Sequence, residues 1–195
     1  MGKFDGILIC SDIDGTLNCK GDTLEVNREA VLYFTANGGR FAFATGRMAA
    51  HIHQEQFAEM ANGPVCLCNG SIIYDPIDRR ILKETPLPFT LGEFVEAMAP
   101  YLNRAGKAHL CHASFAEGTK AIPFEELNDK NLPDWNLQLH KLVFSFPEPT
   151  LNDAFTEILI NHPFLKNTYI SQSWGKGVEI NAPEGTKGEI GRAHV

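Results

Sequence analysis

The chain has 195 residues, 44% of them hydrophobic and 21% charged, enough apolar content to bury a sizeable core. A net charge of −7, with 17 basic residues and no basic block, argues against a nucleic-acid or anionic-membrane surface. No apolar run approaches the roughly 18 residues of a membrane span. An acidic pair inside the first apolar stretch excludes a signal peptide.

Residues 7–11, ILICS, read as a strand with apolar side chains on both faces, which implies a central place in a parallel sheet. A helix follows over 27–37, with Asn27 as N-cap, Val31 and Phe34 on one face, and Gly38-Gly39 as its stop. RFAFATGR predicts a second strand ending at Thr45-Gly46. Residues 48–61 read as a second helix, with Ile52, Phe57 and Met60 apolar at imperfect spacing. GPVCLCNG is a third short strand, closed by Asn69-Gly70. This alternation is a doubly wound α/β pattern, in which ligands sit at the carboxyl ends of the strands. Asp12, Asp14, Thr45 and Asn69 all fall at that edge.

The pattern changes after about residue 80. FTLGEFVEAMAPYLNRAG carries a capping box, Thr90 with Glu93, and a hydrophobic staple, Phe89 with Phe94. Leu91, Val95, Met98 and Leu102 line one face of that helix, and Gly106 ends it. Strand-like runs follow at 108–113, 141–146, 168–174 and 177–180, with a helix at 151–162 and a loop with room for one helical turn at 125–136. Two helices and several strands without strict alternation indicate an α+β unit.

Asp12 and Asp14 stand immediately after a buried run. As turn formers they explain the Gly that follows, but not two like charges at a strand end. A nucleophilic carboxylate, a second carboxylate that handles the leaving-group proton, and a shared Mg²⁺ explain both. Thr45 alone reads as an ordinary strand residue and Lys187 alone as a solvated lysine. A rival constellation, His109-Cys111-His112 with Cys66 and Cys68, offers soft ligands but fits no standard zinc spacing, and Cys66 and Cys68 on one strand face read as core. A receiver-like binding module also places acidic residues at a strand end. It lacks an α+β unit like the one after residue 80 here, and its acidic pair lies on a different strand from its phospho-acceptor. Five cysteines, odd in number and mostly in apolar runs, read as reduced thiols of a cytoplasmic protein.

ILICSDIDGTL, FAFATGR and EINAPEGTKGEIG resemble, in order, the first three motifs of the haloacid dehalogenase (HAD) superfamily. The Asn-Gly at 69–70 and the roughly 100-residue insert before the lysine resemble its Cof-type (type IIB cap) branch. The resemblance implies a Rossmann-like HAD core, 1–83 with 184–195, interrupted by an α+β cap at 84–183 that covers the strand ends, excludes water and chooses the leaving group. It implies Asp12 as nucleophile and Mg²⁺ ligand, and Asp14 as general acid/base with a main-chain oxygen on the metal. It implies Thr45 and the Gly46 N–H on the transferring phosphoryl group, Lys187 as charge neutraliser, and Arg47 and Asn69 as substrate contacts. The implied activity is Mg²⁺-dependent hydrolysis of a small phosphomonoester, a sugar phosphate or a phosphorylated cofactor, through an aspartyl-phosphate.

That superfamily carries a fourth motif after the lysine, a strand ending in Gly-Asp with a second acidic residue beyond it. No such motif follows Lys187, so a C-terminally incomplete core is expected. Glu148 and Asp153 in VFSFPEPTLND are rejected as substitutes, because they precede the lysine and lack the Gly-Asp pair. The alternative reading is therefore an impaired fragment that binds metal or phosphate without turnover. A further expectation is that residues 7–11 form an open edge and self-associate through it.

Overall fold

The computed structural model describes residues 2–19, 23–102, 110–116, 118–127, 130–173 and 175–188. The chain divides into two compact units: Met1–Thr85 with Glu184–Val195, and Pro86–Pro183.

In the first unit β1 (Leu8–Ser11) runs parallel to β2 (Arg40–Phe43), with Leu8 opposite Arg40 and Ser11 opposite Phe43. The connection between them is α1 (Thr23–Ala36). This helix starts a turn earlier than the sequence suggests. Asn27 is inside it rather than at its cap, and its Nδ2 donates to the Leu17 carbonyl at 2.8 Å, tying helix to loop. Val31 and Phe34 are buried as expected, and Gly38 takes a φ of 92° at the stop, a left-handed value that a side chain would resist.

The predicted helix over 48–61 is broken. A six-residue α2 (Ala49–Gln54) is followed by Gln56 in the left-handed region and a 3₁₀ turn over Phe57–Met60. The imperfect apolar spacing is the cause: one continuous helix cannot aim Ile52, Phe57 and Met60 at the same core. The break lets all three reach 2% exposure or less.

β3 (Val65–Leu67) joins β2 through a parallel bridge from Ala44 to Cys66. It then pairs antiparallel with β4 (Ile72–Asp75), which pairs with β5 (Arg80–Glu84). This antiparallel extension has no counterpart in the sequence reading, because its strands are short and β5 is exposed throughout. Cys66 and Cys68 are both fully buried, as core residues are, but they do not share a strand: β3 ends at Leu67 and Cys68 opens the 3₁₀ turn that follows.

β1 departs from expectation in burial. Ile7, Leu8 and Ile9 are 47%, 37% and 43% exposed, although the run is apolar on both faces. Among the described residues its only strand partner is β2. A strand buried on both faces needs a neighbour on each edge and cover on each side, and β1 here has one edge paired.

The second unit is a five-stranded antiparallel sheet in the order β7-β6-β8-β10-β9. Its strands are β6 (Leu110–Phe115), β7 (Gly118–Pro123), β8 (Lys141–Ser145), β9 (Tyr169–Ser173) and β10 (Gly177–Asn181). The helices are α3 (Leu91–Leu102) and α4 (Pro149–Asn161). The capping box forms as predicted: Thr90 N–H donates to Glu93 Oε2 at 2.8 Å and Glu93 N–H to Thr90 Oγ1 at 3.3 Å. The Phe89 and Phe94 rings stack at 5.9 Å. Leu91, Val95, Met98 and Leu102 are buried with Phe155 and Leu159 of α4 against Cys111, Phe144, Val178 and Ile180 of the sheet. Gly106, the expected stop of α3, lies outside the described residues. Among the described residues no helix is long and apolar enough to cross a membrane.

Candidate active site

The site is built at the carboxyl ends of β1, β2 and β3, wholly within the first unit. After β1 the chain makes a compact turn: Asn18 N–H donates to the Ile13 carbonyl at 2.8 Å and Gly15 N–H to the Asn18 carbonyl at 3.1 Å. Ile13, fully buried, and Leu17, 6% exposed, sink into the core and hold this turn like two pegs. Alternation does the rest. With Ile13 turned inward, the side chains on either side of it, Asp12 and Asp14, are left toward solvent.

Two residues past the end of β2 stands Thr45, which is fully buried. Its N–H donates to the Cys66 carbonyl and its own carbonyl accepts from Asn69 N–H, both at 2.9 Å. Its hydroxyl accepts from Arg47 N–H at 3.2 Å. Gly46, half-buried, lies between them. Thr45 therefore locks the end of β2 to the end of β3. Asn69 sits at φ 61°, a left-handed conformation that Asn tolerates better than most residues.

Lys187 is far from Asp12 in sequence, yet its Nζ lies 3.0 Å from Asp12 Oδ1. The same oxygen accepts from Ile13 N–H at 2.8 Å. The lysine is placed by a backbone contact one residue earlier. Gly70, at φ 120°, lies so close to Thr186 that an added methyl would overlap the Thr186 main chain. Only glycine satisfies both demands. Gly70→Ala is expected to cost about 1–3 kcal/mol in backbone strain alone. It should also displace residues 186–187 from the strand ends. A fall in melting temperature with loss of Lys187 protection from amine acylation would show both effects; unchanged values would separate the Gly70 contact from the placement of Lys187.

Asp14 is gripped by Arg47. The Arg47 Nε and Nη2 donate to Asp14 Oδ2 and Oδ1 at 2.9 and 2.7 Å, a two-pronged pair. Arg47 Nη1 is 2.6 Å from Glu55 Oε1, and the guanidinium lies 5.2 Å from the centre of the Phe57 ring. The Arg47 hydrogen bonds hold the Asp14 carboxyl below the usual carboxylate range, against the opposing pull of partial burial; the charges of Arg47 and Lys187 act in the same direction. The sign follows: this pairing stabilises the fold above the unfolded-state carboxylate pKa and is lost as pH falls through the lower folded value. Arg47→Met is expected to return the Asp14 titration toward the ordinary range, read by carboxyl carbon NMR. An unmoved titration would refute the cause assigned here.

The strand ends thus bring together Asp12, Asp14, Thr45, Gly46, Arg47, Asn69 and Lys187. Arg47 faces two carboxylates, and Glu55 was not legible in advance. It is eight residues from Arg47, at the opposite end of α2, so the pair has neither the i, i+3 nor the i, i+4 spacing that marks helical neighbours. Cys111 and His112 are neighbours on β6 and face opposite sides of that sheet. Cys111 is buried, which pushes its thiol up, and His109 lies outside the described residues. Asp153, the rejected substitute ligand, accepts from Gln172 Nε2 at 2.8 Å in the second unit.

Among the described residues no three His, Cys, Asp or Glu side chains converge on a point that a cation would occupy. The donors at the β1 end are oxygens, the Asp12 carboxylate and the Asp14 main chain. Such hard ligands suit Mg²⁺, which usually keeps several waters.

A profile of the haloacid dehalogenase-like hydrolases matches residues 9–192, nearly the whole chain. The chain belongs to this family. It is a HAD-like hydrolase, and the motif order read from the sequence is that of the superfamily. No curated protein matches it. Among solved structures it is similar to a haloacid dehalogenase-like hydrolase from B. subtilis, at 15% identity and a TM-score of 0.71, covering 95% of this chain and 76% of that one. It is also similar to a HAD/COF-like hydrolase from Plasmodium vivax, at 18% identity and 0.72, covering 98% and 74%. A third is a HAD subclass IIB sugar phosphatase, at 18% identity and 0.64, covering 95% and 75%. At these identities the likeness speaks for the fold.

Proposed function

We propose that this HAD-like hydrolase is a Mg²⁺-dependent phosphatase. Its substrate would be a small phosphomonoester, a sugar phosphate or a phosphorylated cofactor, turned over through an aspartyl-phosphate on Asp12. The observation that carries the reading is the Lys187 ammonium 3.0 Å from the Asp12 carboxylate, at a strand end and beside a second carboxylate. Asp12 attacks phosphorus and the ester P–O bond breaks. Asp14 hands a proton to the leaving oxygen, and later takes one from the water that cleaves the aspartyl-phosphate. Thr45, the Gly46 N–H and Lys187 offset charge on the phosphoryl oxygens, with Arg47 and Asn69 at the substrate side. Asp12 and the Asp14 main-chain oxygen would hold the Mg²⁺, which supplies further charge neutralisation there. Pro86–Pro183 acts as the cap, the part that selects the leaving group. Five cysteines, odd in number and mostly in apolar runs, favour reduced thiols and a cytoplasmic location, and the edge of β1 that no described strand pairs favours self-association.

One observation favours a second reading, binding without turnover: fewer than three acidic or imidazole side chains meet at the strand ends among the described residues. Phosphate release from p-nitrophenyl phosphate and a panel of sugar phosphates, with Mg²⁺ and with chelator, separates the two. Mg²⁺-dependent release is the expected result. Calorimetric binding of Mg²⁺ or phosphate with no release would establish the second reading instead.

A further inference from the structure

Arg47 is held on three sides. Its fork is on Asp14, its remaining terminal nitrogen is on Glu55, and its plane lies over Phe57. The Arg47 side chain is only 19% exposed, whereas Asp14 and Glu55 are 60% and 50% exposed. Two further contacts pin its backbone, since Arg47 N–H donates to Thr45 and its carbonyl accepts from Cys68 N–H. The cation is thus the fixed member and the carboxylates are the movable ones.

Glu55 reaches Arg47 because α2 stops there. Its N–H donates to the His51 carbonyl at the helix end, and Gln56 then turns left-handed, so that Phe57 enters the core at 1% exposure. One short turn supplies both the second carboxylate and the ring beneath the guanidinium.

This arrangement answers a difficulty in the reading above, on which the inference rests. To reach a leaving-group oxygen, Asp14 must give up a two-pronged pair with Arg47. Breaking one partner from a mostly buried cation is costly when nothing else neutralises it. With Glu55 already on Nη1, the guanidinium keeps an anionic partner while Asp14 moves. We propose that Glu55 is a positioning residue for the phosphatase reaction: it keeps Arg47 seated, so that Asp14 can pass between the guanidinium and the leaving-group oxygen.

The test compares two substrates on the whole chain. A p-nitrophenolate leaves without being protonated, whereas an alkyl phosphate needs a proton on its leaving oxygen. Single-turnover release of the leaving group reads the first step alone, before Asp14 acts as base on water. In that step Glu55→Ala is expected to slow an alkyl phosphate by about tenfold, a fraction of a general-acid contribution. Release of p-nitrophenolate should stay within about twofold, and the melting temperature should hold. Glu55→Gln, which keeps an acceptor oxygen for Nη1, should recover part of the loss. In an Asp14→Asn background, Glu55→Ala should add nothing. Equal losses on both substrates, or an additive loss in that background, would overturn the proposal. If Asp14→Asn is selective for the alkyl substrate and Glu55→Ala is not, the assignment of Asp14 stands and that of Glu55 falls. If Asp14→Asn is itself unselective, both fall.

Discussion

Asp12→Asn is expected to reduce phosphate release by about 10³-fold or more, with the fold preserved. The amide is nearly the same size as the carboxylate and can still accept from Ile13 N–H, which holds Oδ1 at 2.8 Å in the wild type. It cannot act as a nucleophile of comparable strength, and it loses the charge that draws Lys187 to 3.0 Å. Lys187 is 44% exposed, so the unpaired ammonium can turn to water and the stability cost should be small. Phosphate release, far-ultraviolet circular dichroism and thermal melting, measured side by side, check the claim. Equal turnover by wild type and variant at matched purity would remove Asp12 from the role. Loss of fold together with loss of activity would leave the nucleophile to be tested by trapping the phospho-enzyme on the wild type.

The second large effect is association through β1. Residues 7–11 carry no lysine and no proline, the usual blunting devices of an edge strand. Ile7, Leu8 and Ile9 present apolar surface on both faces, and among the described residues only β2 pairs with the strand. Unpaired backbone groups next to exposed aliphatic side chains make a template for another strand. Sedimentation velocity is expected to show a mass that rises with concentration. Leu8→Lys and Ile9→Lys, on opposite faces of the strand, should each return the chain to a monomer, because a charge on either face disfavours a second strand. Hydrogen exchange should show the 7–11 amides protected in the associated form. A monomer at every concentration with those amides already protected would mean that β1 is covered in some other way.

Much of this protein was written in local sequence. The capping box at Thr90 and Glu93, and the staple at Phe89 and Phe94, act over three to five residues and formed as predicted. The chain positions of Asp12, Thr45 and Asn69 at the ends of apolar runs were equally local, because a strand followed by a turn is a short-range pattern. Motif order then told which family the chain belongs to.

Other features depended on contacts between distant residues, which no window of sequence contains. The break after α2 arose because Ile52, Phe57 and Met60 had to share one core, a demand that outweighed helical continuity. The approach of Gly70 to Thr186 decided where Lys187 sits, and it joins two segments separated by the whole second unit. The grip of Arg47 on Asp14 and Glu55 links three segments at once, and charges at those positions carry no directional signal in sequence. Burial of β1 was the plainest case. ILICS by itself determines a strand with two apolar faces, but whether those faces meet protein or solvent depends on which strands lie beside it, and that is a property of the sheet.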